Sequence, residues 1–336
     1  MPILSILVPC YNSQDYMRTA VESLLPAKED LDIIIVNDGS TDNTESIGRE
    51  YEKKYPETIR FINQTNKGHG GAVNTGILHA KGDYFKVLDS DDRLEEQALI
   101  KAVDTLKKLK SESTLPDLFI TNFVYDKKDK KLKKTMRFSK IPKNRIFKWE
   151  AEFQVGDTEY ITMHSIMYKT EILRKIGLVL PEKISYEDDI YAFTPMSLVD
   201  TVYYLDTELY MYFIGRDDQS VNESVMIKKR AQYEKITRII LDDYFKMENL
   251  GEKKKKYLIK FLDMMMTLAS IVLILSGTPE DYKAKDKLWQ DLKAMDKELY
   301  EYLSKTMLGR LTTLGRAGRV LALGAYKTVQ KIVGFN

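Results

Sequence analysis

Residues 3–12 read ILSILVPCYN, an almost continuous apolar run that ends in a proline and polar residues. Such a run is typical of a strand buried on both faces of a parallel sheet. Apolar residues then take helical spacing, and the apolar run at 32–36 predicts a second strand. Further strands are predicted at 59–63, 84–88 and 118–124, and helices at 41–55, 70–80 and 94–109. This alternation predicts an α/β fold with a mainly parallel sheet.

The pattern changes near residue 225, after which apolar residues keep helical spacing and no strand is predicted. Helices are predicted at 227–247, 253–275 and 280–303. Since a domain averages roughly 150 residues, a chain of 336 residues suggests two domains. We therefore expect one domain at 1–224 and a helical appendage at 225–336.

Composition excludes several classes of protein and site. With 52 Lys and Arg against 50 Asp and Glu, the chain has no overall field that would recruit nucleic acid. The single cysteine, Cys10, excludes an intramolecular disulfide and a cysteine metal cluster. The three histidines have no paired metal-ligand spacing, so a zinc site built from histidines is not expected.

The hydropathy pattern predicts neither export nor membrane insertion. The first twelve residues have no basic region and meet a proline early, so we expect no signal peptide. The longest apolar run, 264–275, is too short to cross ~30 Å of hydrocarbon. These features predict a cytoplasmic protein without a membrane-spanning helix.

Polar clusters follow three of the predicted strands, at 9–12, 37–40 and 89–92. In parallel α/β sheets, ligands bind beyond the carboxyl ends of the strands. Three polar clusters at such ends therefore predict a ligand site at one edge of the sheet.

The cluster at 89–92, Asp-Ser-Asp-Asp, places three carboxylates in four residues. Carboxylate oxygens suit a hard divalent ion such as Mg²⁺ or Mn²⁺, which shares its coordination sphere with substrate phosphates. The alternative is a solvated acidic loop that also caps the following helix, a role open to Asp92.

Three other polar groups each allow two interpretations. Asp38, in the turn Asp-Gly-Ser, accepts hydrogen bonds from a base or ribose, or only shapes the turn. Tyr11 stacks on a base, or belongs to a plain strand-to-helix turn. Residues 66–71, NKGHGG, hold a pyrophosphate at a helix N-terminus, or are only a loop.

Two later groups are also ambiguous when taken alone. The run Glu187-Asp188-Asp189 lies in an apolar and aromatic stretch, where a carboxylate gains basicity and acts as a general base. The alternative is an N-cap for a helix that begins near Ile190. Arg216 either holds phosphates or pairs with the aspartates that follow it.

Order and spacing add a resemblance. The segments ILSILVPCYN, DIIIVNDGSTDNT, NKGHGGAVNTGI, KGDYFKVLDSDD, YEDDIY and RDDQS occur in the order found in family 2 glycosyltransferases of the GT-A fold. The chain resembles a bacterial member of that family, densely over 3–110 and more thinly to about 222. The resemblance implies an inverting transfer from a UDP-sugar, assisted by Mn²⁺ or Mg²⁺, to a hydroxyl of a cell-surface glycan, polymer or lipid-linked acceptor.

The resemblance also implies roles for individual residues. Asp91 would be the principal metal ligand, and Asp188 the catalytic base, with Asp189 as the alternative one position along. Many members have an arginine where this chain has Val73, so Lys67 or Arg216 is expected to supply that charge. The resemblance further implies that Pro9, Tyr11 and Asp38 bind uridine and that Asn66 and Gly68 line the nucleotide-sugar side. Asp89 would lie on the ribose and metal side, and Arg216 would lie near the pyrophosphate.

Three other functions fit the sequence less well. A sugar nucleotidyltransferase and an NAD-dependent dehydrogenase both need a glycine-rich loop after the first strand, where this chain has PCYN. A non-catalytic nucleotide-sugar-binding protein would have no need of Asp91 and Asp188.

Two segments are strongly basic. Residues 126–148 carry eleven Lys or Arg and two Asp, which predicts either a solvated hairpin or a surface that attracts an anionic acceptor. No acidic residue follows Glu301, and an apolar stripe runs along 307–333. This tail either packs on the helical region or a sister subunit in a homo-oligomer, or binds peripherally to the anionic inner face of the cell membrane.

Overall fold

In the computed structural model, the chain forms two compact units, 1–215 and 216–336. The division falls a few residues before the domain boundary predicted from the sequence. The structure describes residues 1–127, 134–215, 219, 222–313, 315, 318–321 and 323–324.

A mixed sheet forms the centre of the first unit, with ten strands in the part of the chain that is described. The strands are β1 (Leu4–Cys10), β2 (Leu31–Asp38), β3 (Ile59–Gln64), β4 (Tyr84–Val87), β5 (Arg93–Leu94), β6 (Leu118–Lys127), β7 (Lys134–Met136), β8 (Ile146–Lys148), β9 (Ile166–Lys169) and β10 (Thr201–Ile214). They lie in the order β3-β2-β1-β4-β9-β6-β10-β5, with β7 beside β6 and β8 beside β10.

The longest ladders of the sheet are parallel, which confirms the predicted fold class. β1 pairs in parallel with β2 and β4, β2 with β3, and β6 with β10. Every residue of β1 and β2 is buried, as a strand covered on both faces requires. The five strands predicted from apolar runs are therefore all present.

Besides the short strands β5, β7 and β8, the strands β9 and β10 were not predicted. β9 is short and antiparallel to both of its neighbours, β4 and β6. The 14-residue strand β10 contains Asp206, Thr207 and Glu208, which interrupt its apolar and aromatic residues. The β6–β10 ladder shifts register at the same place, between Tyr204 and Tyr210. An irregularity of this kind breaks the period of two by which a strand is recognised.

The helices of the first unit lie between these strands, as the alternating pattern predicts. The glycine-rich segment forms a 12-residue helix, and the following amphipathic helix is capped by Glu95, whose carboxylate accepts from the Ala98 N–H at 2.7 Å. The helices are α1 (Met17–Glu22), α2 (Thr44–Lys54), α3 (Gly68–His79), α4 (Glu96–Ser111), α5 (Trp149–Glu152), α6 (Thr170–Lys175) and α7 (Asp188–Phe193).

The second unit is helical throughout its described residues. The helix predicted at 280–303 is divided at Asp296, whose backbone is extended and whose side chain caps the next helix by accepting from the Leu299 N–H at 2.9 Å. The helices are α8 (Glu223–Lys228), α9 (Arg230–Lys246), α10 (Glu252–Ser276), α11 (Pro279–Met295), α12 (Lys297–Lys305) and α13 (Met307–Thr313).

Helix α10 is longer than the apolar run seen in the sequence. With 25 residues it is long and apolar enough to cross a membrane by length and composition. Within its most apolar stretch, 61% is buried inside the structure, as in the core helix of a helical domain. The helix predicted at 253–275 is therefore confirmed to within one residue at each end, and the apolar run at 264–275 forms its second half.

A buried carboxylate ties the first unit together at the amino ends of its parallel strands. Asp32 on β2 accepts hydrogen bonds from Ser5 Oγ at 2.6 Å, from the Arg60 guanidinium at 2.6 and 3.0 Å, and from the Lys81 N–H at 2.9 Å. Asp32 is 5% exposed. A buried charge of this kind is stable only while its partners are in place.

We expect Asp32→Ala to destabilise the first unit by roughly 3–5 kcal/mol, because it removes the carboxylate that balances the charge of the partly buried Arg60 guanidinium. The measurement is urea denaturation followed by circular dichroism. Glu50→Ala is the matched control, since Glu50 pairs with Arg18 on the exposed surface and should change the midpoint little. Equal midpoints for the two variants would contradict the role given to Asp32.

Candidate active site

The loops after the parallel strands are joined to one another by hydrogen bonds. The Asn12 N–H donates to Ser40 Oγ at 2.9 Å, which joins the loops after β1 and β2. Ser13 Oγ and Ser90 Oγ lie 2.8 Å apart, which joins the loop after β1 to the acidic cluster at 89–92. Ser13 is buried, and its N–H donates to Thr44 Oγ1 at 2.8 Å. The three predicted polar clusters therefore form one connected edge.

Asp38, at the end of β2, holds the start of α3. Its carboxylate accepts from the Lys67 N–H at 2.8 Å, the Gly68 N–H at 2.7 Å and the Gln64 amide at 2.7 Å. Asp38 is 3% exposed. Two backbone N–H groups that the sequence assigned to a pyrophosphate thus donate to a carboxylate of the protein.

The glycines of α3 allow another segment to approach closely. Gly68 has φ +78°, and a Cβ there would lie 2.8 Å from the Lys183 backbone nitrogen. A Cβ at Gly70 would lie 2.6 Å from the Pro181 carbonyl oxygen and 3.0 Å from Glu187 Cγ. The glycine-rich segment therefore serves as a surface against which residues 181–187 pack.

His69 joins the acidic cluster to the residue before α7. Its Nδ1 lies 2.6 Å from Glu187 Oε1, and its Nε2 lies 3.0 Å from Asp89 Oδ1. Glu187 is buried, and Asp89 and His69 are partly exposed. One imidazole thus lies between two carboxylates that are 98 residues apart in the sequence.

The charges of this bridge shift the pKa values of its members. Burial alone would lower the pKa of His69, but hydrogen bonds to Asp89 and Glu187 and their charges outweigh it and raise that pKa well above its usual value. Burial would raise the pKa of Asp89, but the hydrogen bond and charge of His69 hold it below its usual value. The bridge is therefore an imidazolium between two carboxylates.

Asp92 does not cap the helix that follows it. Its Oδ2 accepts from Tyr210 Oη at 2.6 Å, and its Oδ1 accepts from the Phe213 N–H at 2.7 Å. Burial, together with the charges of Asp89 and Asp91, raises the pKa of Asp92 well above its usual value. The alternative of a helix cap is thus wrong for Asp92, because both oxygens bind residues of β10.

A group of three side chains has the geometry of a metal site. One ligand atom each from Asp89, Asp92 and His164 lies within 4.8 Å of the others. Two carboxylates and an imidazole are donors that a divalent transition ion such as Mn²⁺ accepts, and a cation would relieve the crowded negative charge. These residues therefore fit an ion, and Asp91, the ligand implied by the resemblance, is not in this group.

His164 is held in place by its surroundings. Its ring lies 4.6–5.3 Å from the rings of Phe123, Tyr210 and Tyr212. Burial lowers the pKa of His164 to about 4, so the imidazole is neutral. The ammonium of buried Lys86 donates to the His164 carbonyl at 2.7 Å. Burial also lowers the pKa of Lys86, to about 7.

Asp188 is the first residue of α7 and faces the acidic cluster. Burial and the charge of Glu187 raise the pKa of Asp188 to about 7, and the charges of His69 and Asp89 also act on it. The pKa of Asp189 is raised well above its usual value by burial and by its two acidic neighbours in sequence. The charges of the acidic cluster thus act on the pKa of Asp188, and its role as the base, with Asp189 as the alternative, remains a prediction.

The other residues predicted for the site lie in different surroundings. Pro9 is buried within β1, paired with Val36 of β2. Tyr11 is 54% exposed just beyond the strand, and Asn66 is exposed before α3. Arg216 lies outside the described residues. The uridine and pyrophosphate roles of these residues remain predictions.

Sequence reasoning missed several residues of this edge. His69 and His164 were considered only for a zinc site, although His69 stands inside the glycine-rich motif. Tyr210 lies on the unpredicted strand β10, where its hydroxyl also accepts from the Asp89 N–H at 3.2 Å. Only the position of His69 within a motif was a signal available from the sequence.

The basic segment 126–148 is partly neutralised. Arg137 pairs with Glu208 at 2.6 Å, and Lys143 with Asp206 at 2.7 Å. Arg145 forms an ion pair with Glu152. Residues 128–133 lie outside the described residues, so the predicted attraction of an anionic acceptor remains a prediction.

Comparisons with known proteins identify the family and the fold. Residues 5–177 match the family model described as Glycosyl transferase family 2. The chain is 29% identical over 250 residues, 74% of each chain, to an uncharacterized glycosyltransferase of Rickettsia typhi. Among solved structures it is similar to residues 1–349 of S. aureus TarS, with a TM-score of 0.70 and 18% identity over 98% of this chain and 92% of that one.

Two solved structures of similar fold contain nucleotide-sugars. TarS in complex with UDP-GlcNAc matches with a TM-score of 0.66 and 19% identity, covering 95% of this chain and 89% of that one. The mannosyltransferase PcManGT from Pyrobaculum calidifontis, in complex with GDP-Man and Mn²⁺, matches with a TM-score of 0.54 and 15% identity over 98% and 87%. At these identities the likeness shows the shared fold.

The imidazolium bridge predicts a pH-dependent stability. Because the pKa of His69 is raised by folding, its contribution is complete below the pKa of about 6.5 in the unfolded chain and is lost as pH rises through the folded value. The difference in unfolding free energy between wild type and His69→Gln should therefore be largest near pH 6 and shrink at higher pH.

Urea denaturation across this pH range, in buffers with EDTA, measures the difference. His79→Gln is the matched control, because the His79 side chain is exposed and its substitution should change the unfolding free energy little. A difference for His69→Gln that stays constant with pH would show that His69 acts only through packing.

Proposed function

Because the chain belongs to glycosyl transferase family 2, we propose that it transfers a sugar from a UDP-sugar to a hydroxyl of a glycan, polymer or lipid-linked acceptor in a metal-assisted, inverting displacement. The proposal rests on the two hydrogen bonds by which His69 links Asp89 to Glu187. These bonds bring the acidic cluster at the end of β4 next to Asp188, the first residue of α7. Donor activation and proton removal would thus occur side by side.

The donor end of the proposed site is the edge formed by the loops after β1, β2 and β4. Tyr11 is exposed there and is available to stack on uracil. Asp38 keeps the Lys67–Gly68 backbone in place, so it would contribute to uridine binding by fixing that backbone. TarS in complex with UDP-GlcNAc supports a UDP-sugar as the donor.

Asp188 would remove the proton from the acceptor hydroxyl as that oxygen attacks the anomeric carbon. A pKa of about 7 places the base close to the pH of the cytoplasm, where a general base is both deprotonated and basic. Attack from the face opposite the diphosphate inverts the anomeric configuration in one step, and no covalent enzyme intermediate is needed.

The group Asp89, Asp92 and His164 would hold the divalent ion, with Asp91 next to it in sequence. When bound, such an ion neutralises charge that develops on the leaving diphosphate. The Mn²⁺ complex of PcManGT supports the use of a divalent ion. Nζ of buried Lys86 lies 5.1 Å from the centre of the Tyr210 ring, and the charge of Asp89 acts to raise the pKa of Lys86 against the effect of burial.

We expect Asp188→Asn to reduce turnover by ~10²–10⁴-fold, the usual contribution of a general base, while UDP affinity stays near that of wild type. Asp189→Asn is the matched control and should retain most of its turnover. The measurement is UDP release from a panel of UDP-sugars, with and without EDTA. For wild type, kcat/KM should rise with pH through about 7, because the base must lose its proton.

The controls separate three possibilities. If Asp189→Asn is inactive and Asp188→Asn is active, the base is one residue along. If no UDP-sugar is turned over by wild type while UDP still binds, the protein is a nucleotide-sugar-binding protein. Release that persists in EDTA contradicts metal assistance.

A peripheral location at the inner face of the membrane would suit a lipid-linked acceptor. The charge of the tail supports this location, since six Lys or Arg and no acidic residue follow Glu301. In α13, the carbonyl of Thr312 accepts from the buried ammonium of Lys285 at 2.7 Å, so this first part of the tail belongs to the helical unit.

Removal of residues 314–336 should therefore leave the helical unit folded and abolish binding to membranes. The measurement is flotation with vesicles that contain anionic lipid, with neutral vesicles as the control. Equal flotation of full-length and shortened protein would contradict membrane binding by the tail, and a changed oligomer size would indicate that the tail packs on a sister subunit.

A further inference from the structure

We propose that His164 is a nitrogen ligand of the divalent ion and makes the site selective for Mn²⁺ over Mg²⁺. The inference rests on the proposed function and deepens it, because it names the donor that determines which ion is used. Neither the sequence motifs nor the resemblance pointed to His164.

The first argument is the position of the ring relative to the carboxylates. His164 lies in a short 3₁₀ helix, Met163–Ser165, just before β9, and β9 is a neighbour of β4 in the sheet. A ligand nitrogen of this ring lies within 4.8 Å of oxygens of both Asp89 and Asp92. One ion can therefore reach all three side chains after small side-chain adjustments.

The second argument is that each member has a free coordination position. Asp89 uses Oδ1 toward His69, which leaves Oδ2. Each oxygen of Asp92 accepts one hydrogen bond, and a carboxylate oxygen has two lone pairs. Nδ1 of His164 lies 3.3 Å from Thr162 Oγ1, which leaves Nε2 for the ion.

The third argument is that the ligands are oriented by a second set of contacts. Metal-binding histidines usually engage their other ring nitrogen in a hydrogen bond, and ligand carboxylates are hydrogen-bonded in turn. Here Thr162 Oγ1 contacts Nδ1 of His164, and the Tyr210 hydroxyl and the Phe213 N–H donate hydrogen bonds to Asp92. The Lys86 ammonium, 2.7 Å from the His164 carbonyl, holds the backbone that carries the ring.

The choice of ion follows from the donor set. Mg²⁺ prefers oxygen ligands and keeps its waters, whereas an imidazole nitrogen favours a transition ion. A site with two carboxylates and one imidazole therefore binds Mn²⁺ more tightly than a site with carboxylates alone, and gains little with Mg²⁺.

The test is binding of Mn²⁺ and Mg²⁺ to the full chain with UDP present, by calorimetry, together with pulsed electron paramagnetic resonance of the Mn²⁺ complex. Wild type should show nitrogen coupling from an imidazole. His164→Gln should lose that coupling and weaken Mn²⁺ binding roughly tenfold or more, with Mg²⁺ binding almost unchanged. His79→Gln, with its exposed ring, is the matched control and should behave as wild type.

Absence of nitrogen coupling in the wild-type Mn²⁺ complex overturns the inference, even if His164→Gln fails to fold, because the wild-type spectrum needs no variant. Equal loss of Mn²⁺ and Mg²⁺ binding in a folded His164→Gln protein also overturns it. Both results leave glycosyl transfer intact. A different result contradicts the proposed function, namely the absence of UDP release both with Mn²⁺ and with Mg²⁺.

Discussion

An imidazolium between two carboxylates is the contact on which this site depends. Asp89, Glu187 and Asp188 lie close together in partly buried surroundings, where like charges repel strongly. His69 offsets this repulsion by binding Asp89 and Glu187 at 3.0 and 2.6 Å. The same contact joins the strand-end cluster to the helix that begins with the proposed base, so charge balance and positioning come from one side chain.

The remaining geometry of the site depends on how the start of α3 positions His69. Asp38 accepts from the Lys67 and Gly68 N–H groups and thereby holds the start of α3 against β2. Gly68 and Gly70 leave room for residues 181–187 to pack on that start. A side chain at Gly70 would displace Pro181 and Glu187. The glycine-rich motif is therefore a packing surface that brings a distant segment to His69.

The acidic cluster has a second support on β10. Tyr210 donates to Asp92 and accepts from the Asp89 N–H, and Phe213 donates its N–H to Asp92. Hydrogen bonds within the protein thus partly satisfy the carboxylates that would suit a cation. This arrangement holds the carboxylates in one geometry and limits the reorganisation needed when an ion and a nucleotide bind.

The sequence by itself determined the fold class and the general location of the site. Apolar runs such as those of β1 and β2 specify buried parallel strands, and the polar residues that end them must gather at one edge. Motif order then pointed to Asp89, Asp91 and Asp188. Both inferences use neighbours in the chain, because strand burial and strand ends are local properties of sequence.

Only the tertiary structure decided which side chains meet. His69 contacts a residue 118 positions away, and Tyr210 contacts one 118 positions away on a strand whose irregular pattern hid it. His164 joins Asp89 and Asp92 because β9 lies beside β4. Such contacts depend on strand order and on the close approach that glycines permit, and these result from packing the whole chain, so no local pattern encodes them.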